Sequence, residues 1–312
     1  MGGLWSELAK KLAEKWFSLL VLPGALYLAV TGVALILGHT HALDAGRLTR
    51  EITAYAKNPT ATSTGGQVVL LVAALVGAGA IGLVAQGVGT FIERGVLASQ
   101  WQRWPLPLRY VARRAVSRRR RQWDAADAAY VGEFRQALAP DPADRPDPGR
   151  RHRAAGARSR VAVERPDRPT WSGDRMHAVA TRLDRDHHLD LATVWPCLWL
   201  TIPDADRAQI SDARSALSRA TTLAAWSILY LALTPWWWPA AAMAVVLAVS
   251  ARHRMRSATD TYATLIEATT RLFAVALAER LGLDHTGPLT TRLGRTLTDH
   301  LDSRSRPGSS SP

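Results

Sequence analysis

Residues 68–92, VVLLVAALVGAGAIGLVAQGVGTFI, carry no charged side chain over 25 positions. As a helix such a run extends ~37 Å, which exceeds the ~30 Å hydrocarbon core and lets it cross a bilayer with some tilt. The chain then turns into RGVLASQWQRWPLPLRYVARRAVSRRRRQW, with arginine at 94, 103, 109, 113, 114, 118, 119, 120 and 121 against a single acid, Glu93. Arginine concentrated directly after a span marks the cytoplasmic side of a membrane. These two neighbouring stretches predict an all-α, polytopic membrane protein with a large basic part facing the cytoplasm.

The rest of the apolar content is read against that orientation. Residues 17–38 are uncharged over 22 positions. A cleaved signal peptide has a shorter apolar region of ~7–15 residues, so this stretch reads as a retained span, kinked at Pro23-Gly24. Residues 220–251 are uncharged over 32 positions, too many for one span, and their middle is TPWWWP. Tryptophan prefers the membrane interface. The run therefore divides into two short spans joined by an outer turn at 234–239, with Arg219 and Arg252 snorkelling at their ends. The expectation is four transmembrane helices in two hairpins, both termini cytoplasmic, in the plasma membrane.

The segments follow from these spans. Residues 1–16 hold Leu4, Trp5, Leu8, Leu12 and Trp16 at helical spacing, an interfacial helix. Residues 17–92 are the first transmembrane hairpin and 93–139 a basic cytoplasmic segment. In the latter, Trp123, Ala126, Tyr130, Phe134 and Leu138 form one helical stripe. Residues 140–170 are rich in Pro, Arg and Asp with few apolar groups, a disordered linker. Residues 171–218 are a membrane-proximal segment, 219–252 the second hairpin and 253–312 a helical cytoplasmic tail. Pro203-Asp204 marks a helix start and Gly282 a helix stop. Tyr262, Leu265, Ile266, Leu272, Phe273, Ala276, Leu277 and Leu281 share a face, and Leu293, Leu297 and Leu301 mark a shorter helix. Residues 191–202, LATVWPCLWLTI, are too short to span. They read either as an interfacial segment or as a buried element of a cytoplasmic domain.

Of the 39 basic residues, 35 are arginine, and the net charge is +13. A GC-rich genome produces this bias, and so does selection for phosphate or headgroup binding, because guanidinium pairs bidentately with phosphate. Cys197 is the single cysteine, which excludes an intramolecular disulfide and a multi-cysteine zinc site. His39, His41 and Asp44, and Asp184, Asp186, His187, His188 and Asp190, have metal-ligand chemistry. Their setting reads as interfacial polar residues and as a solvated helix face, so no metal, cofactor or catalytic residue is assigned. The GxGxxG at 77–82 lacks a second βαβ pattern and an acid ~20 residues on. Gly77, Gly79 and Gly82 read instead as a helix-packing face against residues 17–38, since small residues let membrane helices approach closely. Such a face also allows a homo-oligomer.

The landmarks GHTHALD (38–44), WPCLWLTIPDADR (195–207), TPWWW (234–238) and YATLIEATTRLF (262–273) resemble a group of multi-pass membrane proteins of actinobacteria with no assigned activity. The resemblance implies architecture and not chemistry. Members tend to carry tyrosine and glycine before the Leu-Asp of the WP segment, where this chain has His187-His188. The reading is a non-enzymatic membrane anchor or scaffold whose cytoplasmic helices bind a partner protein or anionic lipid. Arg109, Arg113, Arg114, Arg118, Arg120 and Arg121 are its lipid-binding candidates. Membrane lipid is the expected partner and nucleic acid is not. A small transporter or channel is the alternative, but it calls for ionisable residues inside the spans. A membrane-bound metal-dependent hydrolase is the second alternative, and no nucleophile–base–acid set supports it.

Overall fold

The computed structural model describes residues 21–57, 63–98, 101–138 and 147–305, together with Glu7. The expected interfacial helix at 1–16 (apart from Glu7), the start of the 17–38 span and the C-terminal tail lie outside them. The described residues form ten α-helices and no strand. They are α1 Leu22–Leu37, α2 Ala45–Ala56, α3 Thr64–Leu97, α4 Leu106–Ala137, α5 Pro148–Val161, α6 Trp171–His187, α7 Leu191–Thr201, α8 Asp204–Ala232, α9 Pro239–Arg280 and α10 Thr291–Ser305. The all-α expectation therefore holds. The chain divides into two compact units, Met1–Ile92 with Ser218–His253, and Glu93–Leu217 with Arg254–Pro312.

The first unit is apolar outside and small inside. On α3, Ala78, Gly79, Gly82, Ala85 and Gly89 are buried at helical spacing, while Val69, Leu71, Val76, Leu83 and Phe91 are exposed. Small residues let backbones touch. A Cβ added to Gly24 of α1 would lie 2.0 Å from the Ala78 carbonyl oxygen, and one on Gly89 would lie 2.9 Å from Cα of Thr222. Gly77 faces Leu28 of α1. Tyr27 donates to the Leu229 carbonyl at 3.2 Å and packs edge-on against Tyr230, ring centroids 5.3 Å apart. The 32-residue apolar run divides as expected, since α8 ends at Ala232 and α9 begins at Pro239. Trp237 in the turn donates to the Ala42 carbonyl at 3.0 Å.

Of the four expected spans, one is matched by a helix of full membrane-spanning length. Among the described residues only α3 is long and apolar enough to cross a membrane by length and composition, and α1 and α7 are shorter apolar helices. The uncharged parts of α8 and α9, residues 220–232 and 239–251, hold 13 residues each. At 1.5 Å per residue each reaches only ~20 Å before Arg219 or Arg252, short of the ~30 Å core.

The second unit has a conventional core. Val179 and Leu183 of α6, Val194 and Leu198 of α7, Ile210 of α8, Ile266 and Leu277 of α9, and Leu293, Leu297 and Leu301 of α10 bury together. On α9 the buried stripe is Thr259, Ala263, Ile266, Thr270, Ala274 and Leu277. It is rotated from the expected face, and Leu272 points to solvent. The two threonines fit because their hydroxyls donate to carbonyls one turn back, Met255 and Ile266, at 2.7 and 2.8 Å. Gly282 sits at φ +69° just past α9, with Leu283 N–H bonded to the Ala278 carbonyl, the left-handed stop expected of glycine there. Of the two readings of 191–202, the buried element is the one seen: α7 lays Val194 and Leu198 into this core.

Residues 147–170 are not a disordered linker. Residues 139–146 fall outside the description, but 148–161 are helical, bury no residue and are held by polar contacts. Arg158 pairs with Asp127 at 2.8 Å and stacks over the Tyr130 ring, and Arg150 pairs with Glu133. The aromatic stripe expected on α4 thus meets arginine, a partner that hydrophobic patterning does not reveal.

Candidate functional site

The arginine block forms the first half of α4. Pro105 and Pro107 place its start, since proline suits the first turn, where no amide is needed. Ala112 and Val116 are buried, and they orient the arginines by helical phase. Arg113, Arg114, Arg118 and Arg121 point outward, exposed and unpaired among the described residues. Arg109 is half-buried. Beside them Leu106, Tyr110 and Val111 are also exposed, at 72%, 67% and 63%. The outward face is therefore apolar over residues 106–111 and cationic over 113–121.

Arg120 is differently placed from the other five lipid-binding candidates. Its Nε donates to the Pro166 carbonyl at 2.8 Å and its Nη2 to Asp167 Oδ1 at 2.7 Å. Arg119, outside that candidate set, is the most engaged arginine of the block. Its Nε and Nη2 both donate to Asp174 Oδ2, at 3.2 and 2.7 Å, and Nη2 also donates to the Val161 carbonyl. Asp174 Oδ1 accepts from the backbone amides of Asp167 and Arg168. Burial pushes the Asp174 carboxyl up from the ordinary aspartate value, against the donors that pull it down. Around this buried acid the 162–170 segment is shaped. That segment in turn closes the end of α3: Arg168 donates to the Ala98 carbonyl at 2.7 Å and Thr170 to that of Val96. A cation and a hydroxyl there satisfy carbonyls that a helix end leaves without partners.

Neither histidine cluster assembles as a ligand set. No three His, Cys, Asp or Glu groups among the described residues stand close enough to hold a metal. Asp44 caps α2 by accepting from the Arg47 amide, which holds its carboxyl below the usual range, and His41 Nδ1 meets Thr40 and Arg47. Asp190 caps α7, and His188 takes the left-handed position that ends α6. Asp186 pairs with Arg185 and Arg271. Gly77, Gly79 and Gly82 lie mid-helix in α3, so the GxGxxG forms no strand-to-helix phosphate loop.

No protein-family model, curated protein or solved structure matches this chain.

The residues that organise the site but escaped the sequence patterns are Asp174 and Arg119. They are 55 positions apart, and no local spacing links them. The one available signal is the isolated acid at the start of α6, three residues after Trp171, where an acid favours a helix N-terminus.

Proposed function

We propose that the chain is a multi-pass membrane anchor of four spans with both termini cytoplasmic, whose α4 arginine face binds anionic headgroups. The likeness to multi-pass actinobacterial proteins belongs to the same reading. The observation that carries it is the inverted first unit. Buried glycine and alanine with exposed valine, leucine and phenylalanine on α3 suit a helix surrounded by lipid, where close backbone packing holds helices together. Two contacts support the alternation of spans. Trp237 of the 233–238 turn meets Ala42, just past the C-terminal end of α1, and Gly89 near the C-terminal end of α3 meets Thr222 of α8. The short halves of 220–251 are accommodated by snorkelling of Arg219 and Arg252.

On α4, Arg113, Arg114, Arg118 and Arg121 can meet an inner leaflet at once. Each nearby basic residue is attracted by about 1 kcal/mol, or about 4 kcal/mol for the four before screening within ~8 Å. Exposed Leu106, Tyr110 and Val111 supply the apolar contact that such a surface element adds to its charge. Reporter fusions at residues 58, 150, 237 and 305 test the topology. The expected result is an external signal at 58 and 237 and an internal one at 150 and 305. An external signal at 305 overturns the four-span reading.

A further inference from the structure

The second unit contains an open cleft of about 700 Å³ between α7, α8 and α9. Its apolar wall is made by Trp195 and Trp199, one turn apart on α7, with ring centroids at 5.8 Å. Opposite stand Ser211, Arg214 and Ser215 of α8 and Tyr262 of α9. Glu93, 8% exposed, pairs with the Arg214 guanidinium, which is still 44% exposed. A guanidinium carries five N–H donors, and one carboxylate oxygen leaves several of them facing the cleft. The Ser211, Ser215 and Tyr262 hydroxyls make no bond to any described residue. Burial raises the Tyr262 phenol above its ordinary value, so it stays protonated and can donate at neutral pH.

We propose that this cleft holds the headgroup of an anionic phospholipid, with its phosphate on Arg214 and the hydroxyls and its glycerol end against Trp195 and Trp199. The volume lies within the ~300–1,000 Å³ of small-molecule sites, and an apolar wall with a few convergent polar groups is their usual composition. The phosphate chemistry comes from the planar donor set of arginine with hydroxyls beside it. A bilayer lipid is favoured over a soluble anion for two reasons. The wall opposite the donors is tryptophan, whose amphipathic ring suits the headgroup level. Glu93 is also the first charged residue after the uncharged run 68–92 of the same helix, which in the anchor reading is where that helix leaves the hydrocarbon. The inference rests on that reading.

The full chain, purified in detergent, is loaded with phosphatidylglycerol or with phosphatidylcholine of the same acyl chains, and retained lipid is counted by native mass spectrometry. Phosphatidylglycerol is expected to be held in preference. The double variant Ser211→Leu with Ser215→Leu fills the cleft from two exposed positions and leaves Glu93 and Arg214 paired. It is expected to lower retention about tenfold, the loss that follows from removing one charge-assisted hydrogen-bonded contact. Arg214→Lys keeps a charge opposite Glu93 but loses the planar donors, and the same loss is expected. A triple variant, Arg114→Gln, Arg118→Gln and Arg121→Gln, strips three of the four outward arginines from α4 and should leave the tightly held lipid in place. Equal retention of the two lipids overturns the proposal, as does wild-type retention by both cleft variants or displacement of the lipid by excess glycerol phosphate. If only the triple variant loses lipid, the cleft is wrong and the α4 reading stands. A changed reporter pattern would strike the anchor reading without touching the cleft measurement.

Discussion

Asp174→Asn is the substitution with the most calculable consequence. Asp174 is 5% exposed and accepts four hydrogen bonds, two from the Asp167 and Arg168 amides at 2.8 and 2.7 Å and two from Arg119. Asparagine keeps one acceptor oxygen and turns the other into a donor. Whichever way the amide faces, one pair of donors meets an N–H₂ group, and the negative charge is gone. With the N–H₂ group toward Arg119, that side chain, 17% exposed, keeps only its bond to the Val161 carbonyl. Removing one partner of a buried pair costs ~3–5 kcal/mol. The remaining Arg119 bond puts this case at the low end, about 3 kcal/mol. The loss falls on the 162–170 segment, so hydrogen exchange is the suitable readout: at 1.4 kcal/mol per decade, amide exchange at 167 and 168 should accelerate by roughly 100-fold. Arg119→Gln should accelerate the same amides, and the double variant should be much less than additive, since both changes remove one interaction. Exchange at 167 and 168 within about threefold of wild type for Asp174→Asn would refute the idea that this carboxylate shapes the segment.

Two glycines are close-approach points, and two others serve as controls. Gly24→Ala and Gly294→Ala each place a Cβ 2.0 Å from a backbone oxygen, of Ala78 and His187 respectively, so helices must separate. Overpacking of this kind costs ~1–3 kcal/mol and should lower the melting temperature of the full chain in detergent. Gly32→Ala and Gly132→Ala meet nothing within 4 Å and should be neutral or stabilising; equal melting shifts for all four would remove the packing argument. Acid should act at Asp186. Slight burial raises its carboxyl, but the bonds and charges of Arg185 and Arg271 outweigh this and hold it below the ordinary value. A depressed carboxyl contributes stability that is present above its unfolded pKa of ~3.9 and is lost as pH falls through the folded value. Amide protection near Asp186, taken against the intrinsic exchange rate at each pH, should therefore fall on acidification in wild type and be flat below pH ~4 in Asp186→Asn, and identical profiles would remove the linkage.

Much of the helix layout was legible because its signals are local. Pro107, Pro203 and Pro239 sit at or beside the starts of α4, α8 and α9, and Gly282 lies just past the end of α9. The Leu293, Leu297 and Leu301 spacing marks α10. Two kinds of feature were hidden. The α9 stripe is rotated because Thr259 and Thr270 count as polar in a pattern, although a hydroxyl bonded one turn back can be buried. Residues 147–170 read as disordered because apolar content is a poor measure of a segment held by arginine on aspartate and on aromatic rings. The candidate site was half visible. Clustering of arginine is a composition fact, but which guanidiniums face outward depends on partners such as Asp167 and Asp174, about 50 positions away. The Trp195–Arg214–Tyr262 cleft draws on three helices, and no single stretch of sequence announces it.

The α5 arm has a consequence in time rather than in space. It buries no residue, and its 14 residues are near the limit at which an isolated helix is stable. Its ties to α4 are ion pairs, one stacked guanidinium and the Arg119 bond to the Val161 carbonyl at its last residue, each exposed pair contributing about 0.2–1 kcal/mol and weakening with salt. Such an arm opens on its own, long before the leucine core of the second unit yields. Each opening uncovers the stacked face of Tyr130 and releases Arg158 from Asp127. Ionic strength, rather than hydrophobic burial, thus sets how often this part of the chain is open.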